Sequence, residues 1–168
     1  MRDTATDPEL TAHATTRRAL CRTADDQWSI DQHHGIRHEV FVQEQRLFHP
    51  SDRDEHDDDP ATIKVLGLRG PEPVGAVRLY PLDVEGHLWQ GDRLAVLPAF
   101  RHGSLGGSLV RFAVRTAGER GGERMVAMIQ LANVRFFLAL GWSLDGDVVD
   151  FHGRAHQPMA IALSPADG

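Results

Sequence analysis

Residues 94–114 read LAVLPAFRHGSLGGSLVRFAV, and the glycines at their centre are the first residues that could do chemistry. The first amide groups of a helix lack partners within the helix and lie at its positive dipole end, where they bind anions. Glycine has no Cβ and lets a ligand approach the backbone closely. Gly103, Gly106 and Gly107, with Arg101 just upstream, therefore predict a pyrophosphate cradle. A flexible connection between a strand and a helix is the alternative interpretation.

The spacing of these glycines excludes two common phosphate-binding loops. No Gly-Lys-Ser/Thr follows them, as it would in a P-loop, and the dinucleotide-binding fingerprint does not fit. The spacing does resemble motif A of the GNAT acyltransferase superfamily, Gln/Arg-x-x-Gly-x-Gly/Ala between a strand and a helix. Here the motif is Arg101-x-x-Ser104-x-Gly106, so that a serine replaces the first glycine of the family pattern.

Further segments, in the same order along the chain, support this resemblance. The segment IQLANVRFFLALGW at 129–142 is similar to the second cofactor segment of the family, in which Asn133 would face the pantetheine arm. RHEVFVQEQ at 37–45 and the acidic run at 52–59 resemble a group of small bacterial members, as do GDRLAV at 91–96 and GRAHQPM at 153–159. The resemblance extends from about residue 37 to residue 159.

The resemblance implies the GNAT fold, a mixed α/β (α+β) sheet of about seven strands with flanking helices. The fourth and fifth strands would splay apart to admit acetyl-CoA, or another acyl-CoA, as co-substrate. The pantetheine amides would pair with the edge of the fourth strand, and the pyrophosphate would lie on the glycine-rich loop. The cofactor-binding residues implied are Leu94, Ala95, Val96, Arg101, His102, Gly103, Ser104, Leu105, Gly106, Gly107, Asn133, Phe136 and Phe137.

The same resemblance implies an N-acetyltransferase that acts on a primary amine of a small molecule by direct attack in a ternary complex. Such a reaction needs a base for the ammonium proton and a donor for the oxyanion. Glu44 is the first candidate for the base and His156 the second, ahead of Asp92 and of His56, whose acidic neighbours favour its charged form. The resemblance implies the backbone amide of Val96 as the oxyanion donor.

One residue departs from the family pattern. Phe137 stands where many members have a tyrosine that protonates the departing thiolate, and the chain's only tyrosine is Tyr80. Phenylalanine has no proton to give. The alternative hypothesis is therefore a GNAT-fold protein that binds acyl-CoA as a sensor or catalyses a step other than acetylation in a biosynthetic pathway.

Three other features have two interpretations each. The acidic run, with six carboxylates between Asp52 and Asp59, predicts a solvated loop or a surface that attracts a cationic amine. His34 and His38 share a helix face, but the sequence offers no convincing third ligand, so we predict no metal site. Trp89 either lines the acceptor pocket or caps the core.

The hydrophobic pattern predicts the elements that position these residues. A helix is expected over 31–45 with Asp31 as its cap, and two strands over 62–70 and 72–82. A strand over 93–97, a helix over 105–119 and a strand over 124–130 follow. A short helix ending at Gly141 and two final strands complete a mixed α/β order.

Composition sets the outer limits. The 168 residues, 41% of them hydrophobic, fit one domain, which we expect over 25–168 after a variable or flexible extension over 1–24. The net charge of −6 argues against nucleic acid as a partner. Neither an apolar span nor a leader pattern is present, and the single cysteine suits a reducing compartment, so we predict a cytoplasmic protein without a membrane partner. Homodimers through the terminal strands are common in the family.

Overall fold

A computed structural model of the protein describes residues 19–165, which form one eight-stranded sheet with helices on both faces. The sheet order is β1-β2-β3-β4-β5-β8-β6, with β7 paired to β8, and every pairing is antiparallel except the parallel pair β4–β5. The predicted mixed α/β fold is confirmed. The elements are β1 (Ala19–Thr23), α1 (Gln27–Arg37), β2 (Ile63–Arg69), β3 (Glu72–Pro81), β4 (Leu88–Val96), α2 (Leu105–Glu119), β5 (Arg124–Gln130), α3 (Val134–Ala139), β6 (Ser143–Leu144), β7 (Val149–Phe151) and β8 (Arg154–Ala162).

The first helix begins earlier than the sequence predicted. Asp26, not Asp31, is its cap, because the Asp26 backbone is extended and its carboxylate accepts a hydrogen bond from the Ser29 amide at 2.8 Å. Asp31 lies inside the helix and accepts a hydrogen bond from the Gln27 side chain. The helix then widens into a π-helical segment over His38–Glu44. Short 3-10 turns occupy Glu55–Asp58, Pro98–Phe100 and Leu131–Asn133.

The sheet starts before residue 25. Residues 1–18 of the predicted extension over 1–24 lie outside the described residues. Residues Ala19–Thr23 form β1, which pairs with β2 along its whole length. This strand was missed because its only strong signal is a short apolar start. No helix between residues 19 and 165 has the length and apolar composition needed to cross a membrane.

The two faces of the sheet bury separate apolar clusters. Val65 and Val77 face α2, whereas their neighbours Leu66 and Ala76 face α1, as the alternation of side chains along strands requires. Gly75 lets α2 pack closely, since a Cβ there would lie 2.8 Å from a Leu109 methyl group. The larger cluster, which we call the main core, includes the inner side of α2 and the alternate residues Met125, Ala127 and Ile129 of β5.

Strand β4 is longer than predicted and determines the shape of the site. It begins at Leu88, five residues before the predicted start at Arg93, because Trp89 and Gly91 face the core in alternation with Gln90 and Asp92. Trp89 is buried and donates a hydrogen bond from Nε1 to the Gly86 carbonyl oxygen, so it belongs to the core and not to a pocket wall.

The parallel ladder between β4 and β5 is short. It contains the pairs Leu88↔Arg124, Trp89↔Met125 and Gln90↔Val126 and then stops. Both strands continue beyond it, β4 to Val96 and β5 to Gln130, without pairing to one another. The sheet is therefore open on one side of this junction, as the resemblance implied for the fourth and fifth strands.

Candidate active site

A cavity of about 500 Å³ lies between the parted ends of β4 and β5. Its walls come from both strands, the inner side of α2, the acidic segment 52–56, the π-helical segment and the turn before β8. This volume is within the range of small-molecule sites in proteins. The cavity places groups from distant parts of the chain around one space.

A bulge in β4 shapes one wall of the cavity. Between the pairs Ala76↔Ala95 and Arg78↔Asp92, β3 has one residue and β4 has two, Arg93 and Leu94. Arg93 has a φ of 51°, the left-handed conformation that non-glycine residues seldom adopt. The bulge places Leu94 on the cavity wall, while the Arg93 guanidinium lies 4.2 Å from the centre of the Phe48 ring and donates to the Asp52 carbonyl oxygen.

The acidic run forms a buried network of ion pairs, which we call the Arg/Asp cluster. Both interpretations of the run were therefore incomplete, since neither a solvated loop nor a free negative surface describes its buried carboxylates. Of its six carboxylate residues, only Glu55, Asp58 and Asp59 are exposed. The members of the cluster are Arg37, Arg78 and Arg93 with Asp52, Asp54, Asp57 and Asp92.

Arg37 and Arg78 are fully buried at the centre of this cluster. Arg37 donates to Asp52 at 2.7 Å and to Asp57 at 2.6 Å, and Arg78 donates to Asp54 at 2.6 Å. Burial alone would raise the pKa of Asp57, but its hydrogen bonds with Arg37 and the charges of both arginines hold that pKa well below its usual range. These bonds hold the acidic segment against the sheet. Because residues 52–56 line the cavity, the same bonds hold that part of the cavity wall in place.

Tyr80 and His56 form an aromatic pair on that wall. Their rings stack at 3.9 Å between centroids and 13° between planes, and both residues line the cavity. The Tyr80 hydroxyl donates to Asp92 at 3.3 Å, and burial together with the Asp92 charge raises the pKa of Tyr80. Its phenol therefore stays protonated at neutral pH. The sequence showed Tyr80 on a strand but gave no sign that it would face the site.

The glycine-rich loop leads directly into α2. Arg101, His102, Gly103 and Ser104 are exposed, and the Ser104 side chain makes no hydrogen bond to the first amides of the helix. Of the residues that follow, Leu105 is buried in the main core, Gly107 is buried close to the Arg111 guanidinium, and Gly106 is half-buried. The helix start thus presents amides that its own cap residue does not occupy, as an anion cradle requires.

The Arg101 side chain bonds to residues outside the glycine-rich loop. Its Nη1 and Nη2 donate to the Glu44 carboxylate at 2.6 and 2.5 Å, and its Nε donates to the Val96 carbonyl oxygen at 2.8 Å. The hydrogen bonds from Arg101 lower the pKa of Glu44, which makes its carboxylate a weaker base. Glu44 is not among the residues that line the cavity.

The remaining predicted cofactor residues lie on both sides of the opening. Asn133 and Phe137 line the cavity, and the Phe137 ring packs edge-on against Trp142 at 5.3 Å. Phe136 is exposed, and its ring lies near Gly106. Of the β4 residues, Leu94 and Val96 are half-buried and Ala95 is buried on the α1 face.

His156 occupies the opposite wall from β4. His156 of β8 pairs with Gln130, the last residue of β5. Its side chain lines the cavity, although the residue is only 2% exposed. Its Nδ1 lies 2.9 Å from the Arg154 carbonyl oxygen, which can only accept a hydrogen bond. The neutral ring therefore carries its proton on Nδ1 and leaves Nε2 as an acceptor. Within residues 19–165, no group of three metal-ligating side chains is close enough to hold a metal ion.

The sheet is open between its two parallel strands, a cavity lies in the opening, and the glycine-rich start of α2 follows β4. These features define an α/β protein with a cleft between two strands. The chain belongs to the acetyltransferase (GNAT) family, whose family model matches residues 21–142. The resemblance seen in the sequence is thereby confirmed. Among curated protein sequences no significant match was found.

Solved structures agree with this assignment at the level of the fold. Escherichia coli ElaA is 20% identical with a TM-score of 0.75, covering 85% of this chain and 99% of its own. An acyl-CoA N-acyltransferase from Pseudomonas aeruginosa is 22% identical with a TM-score of 0.70, covering 85% and 98%. An aminoglycoside 6'-N-acetyltransferase, solved with coenzyme A, is 16% identical with a TM-score of 0.70, covering 89% and 99%. At these identities the likeness concerns the fold.

Proposed function

We propose that this protein transfers an acyl group from acyl-CoA to a primary amine of a small molecule, by direct attack in a ternary complex. The observation that supports this most is the parting of β4 and β5 after Gln90 and Val126, which leaves a cavity beside an unpaired strand edge. An acyl-CoA fits such an opening because its pantetheine arm has amides that can pair with a free strand edge. Acetyl-CoA is the donor that the family name suggests.

The cofactor would lie along β4 and end on the glycine-rich loop. The main chain from Leu94 to Val96 would pair with the pantetheine amides, and the amides of the α2 start would bind the pyrophosphate. Arg101, which belongs to this loop, already bonds to the Val96 carbonyl oxygen at the end of β4 and so links the two places. We infer that Glu44 positions this guanidinium beside the pyrophosphate, and that binding of the cofactor exchanges one partner of Arg101 for another.

His156 is the base that we propose for the amine. Its Nε2 is an acceptor in a cavity wall, whereas the Glu44 carboxylate is engaged by Arg101 outside the cavity. The ammonium group would lose a proton to Nε2, and the neutral amine would then attack the thioester carbonyl. Since the Val96 amide would pair with pantetheine, a main-chain amide of β4 closer to the vertex of the cleft, at Gln90 and Val126, would donate to the oxyanion. Phe137 has no proton for the departing thiolate, so that proton would come from water.

Two measurements test this proposal together. Calorimetry with coenzyme A should show association, and a thiol-release assay with acetyl-CoA should show release that depends on an amine from a panel of polyamines, amino acids and aminoglycosides. Absence of any heat with coenzyme A would overturn the proposal. Binding without release across the panel would instead support the sensor hypothesis. Cytoplasmic location and a homodimer stay predictions.

A further inference from the structure

Part of the cavity is lined by nearly fully buried side chains of the main core, and we take this part as its inner end. At its inner end it is lined by Val110 and Ala113 of α2, Met125 and Ala127 of β5, and Trp142. Each of these five side chains is also a member of the main core, and their exposed fractions are 5, 3, 1, 7 and 4%. We call this inner end the apolar arm.

Space among core side chains needs a physical reason. Protein interiors are close-packed, with few voids larger than a water molecule, and unfilled apolar space lowers stability. The arm offers hydrocarbon and ring surfaces from α2 and β5, which cannot satisfy the hydrogen bonds of an amide or an ammonium group. The group that matches this lining is a hydrocarbon chain.

Charged and polar groups gather elsewhere in the cavity. Asp54, His56 and Asp92 line the end formed by the Arg/Asp cluster, on the side of the sheet where α1 packs. A cationic amine would be favoured at that end, because it gains from the carboxylates there. The cavity therefore has a polar end that suits the amine acceptor and an apolar arm that suits a hydrocarbon chain.

The arm lies in the direction in which a bound thioester would place its acyl group. Pantetheine paired with Leu94–Val96 leads from the open end of the cleft toward its vertex at Gln90 and Val126. Gly91, near this vertex, also lines the cavity. Because the bulge adds one residue to β4, the segment from Leu94 to Gly91 covers two strand steps, about 7 Å at the usual rise. An acetyl group would leave most of that distance unfilled.

We propose that the donor is an acyl-CoA whose apolar chain is longer than acetyl, and that the chain occupies the apolar arm. This inference rests on the proposed acyl-CoA-dependent function and adds the class of acyl group to it. The chain ends against Val110, Ala113 and Met125, which would set its greatest length.

Calorimetry with coenzyme A, acetyl-CoA and hexanoyl-CoA tests the proposal on the full chain. Hexanoyl-CoA is expected to bind at least about tenfold more tightly than acetyl-CoA, since each buried methylene group adds to affinity. Ala113→Leu and Ala127→Val fill the arm from two different elements, and each should lower the hexanoyl-to-acetyl affinity ratio by about tenfold. The matched control is Ala139→Leu, at an exposed position in α3 outside the cavity, which should leave the ratio unchanged.

The outcomes separate the two proposals. If hexanoyl-CoA binds no more tightly than acetyl-CoA, the chain proposal is overturned and the acyltransferase proposal stays intact. The same holds if both arm-filling variants still prefer hexanoyl-CoA over acetyl-CoA. If those variants instead raise the KM of an amine, the arm belongs to the acceptor and the chain proposal fails. Lack of binding by all three thiol or thioester probes would overturn the acyltransferase proposal itself. Thermal melts of each variant show whether it has folded, and two independent arm variants keep the test decisive if one does not fold.

Discussion

Arg101 forms a bidentate ion pair with Glu44, with nitrogen–oxygen distances of 2.6 and 2.5 Å, and so joins the end of the π-helical segment to the glycine-rich loop. Both side chains are 37% exposed. The first residue of motif A is thus held by the residue that the sequence favoured as a base. This relationship favours a positioning role for Glu44, and it gives that role a direct test.

Glu44→Gln should change the KM for acyl-CoA by less than about fivefold and leave both kcat and the pH–rate profile as they are. The reason is that exposed ion pairs contribute at most about 1 kcal/mol, so losing this one only loosens Arg101. Glu39→Gln, at an exposed carboxylate in the same π-helical segment, is the control. A fall in kcat of about a hundredfold or more, with an altered pH profile, would return Glu44 to the role of base.

His156→Gln should lower kcat by about 10² to 10⁴, because a glutamine cannot take the ammonium proton. Binding of coenzyme A, measured by calorimetry, should be retained, since the proposed cofactor contacts lie on β4 and α2. His152→Gln changes another cavity-lining histidine, one that is exposed, and should have little effect. Equal losses in both variants would argue against a base at His156.

Asp57→Asn should lower the free energy of unfolding by about 3 to 5 kcal/mol in urea titrations. Its carboxylate bonds to two fully buried arginines, and removing one partner of a buried ion pair leaves charge without compensation. Asp58→Asn, at the next and exposed position, should cost little. Because the folded-state pKa of Asp57 is depressed, its contribution is present above the unfolded pKa near 4 and declines as the pH falls below that value. The variant should therefore lose less stability than the wild type below about pH 4.

Acid should also lower the free energy of unfolding through His33, at a milder pH than through Asp57. This histidine is fully buried, its Nδ1 donates to the Val65 carbonyl oxygen, and burial followed by the Arg37 charge lowers its pKa to about 3. Below about pH 6.5 the unfolded chain binds a proton that the folded chain does not, so stability falls with pH by up to about 1.4 kcal/mol per pH unit from this residue. His33→Gln should reduce that slope in urea titrations between about pH 5 and 7. An unchanged slope would show that His33 is protonated in the folded state.

The sequence predicted most of the frame of this site and less of its chemistry. The helix over 105–119 and the strand over 124–130 have the predicted bounds, because their apolar periods agree with their final packing. The acidic run was misjudged because charge alone does not show that Arg37 and Arg78, both fully buried, lie opposite it. Those contacts join residues up to 24 positions apart through the folded sheet.

The pairing of Glu44 with Arg101 shows the same limit. The residues are 57 positions apart, and each was singled out for a separate role, the carboxylate as a base and the guanidinium as part of the cofactor loop. Local pattern identified both side chains as important but could not show that they bond to one another. The bulge at Arg93 was missed for a similar reason, because it depends on the register between β3 and β4. The alternation of side chains along a strand does not determine that register when one strand has an extra residue.

Gly106→Val gives the sharpest test of the predicted pyrophosphate cradle, because the family pattern has glycine or alanine at this position and nothing larger. A Cβ at Gly106 would meet only a Phe136 ring atom at 3.6 Å, an ordinary contact, so the variant should fold. The branched side chain would stand where a phosphate must approach the amides, and the affinity for coenzyme A should fall at least about tenfold. Gly35→Val, inside α1 and with nothing near its Cβ position, makes the same change in another helix and should leave that affinity unchanged. Thermal melts and calorimetry on the two variants separate helix propensity from cofactor binding, and unchanged affinity in Gly106→Val would mean that the pyrophosphate binds elsewhere.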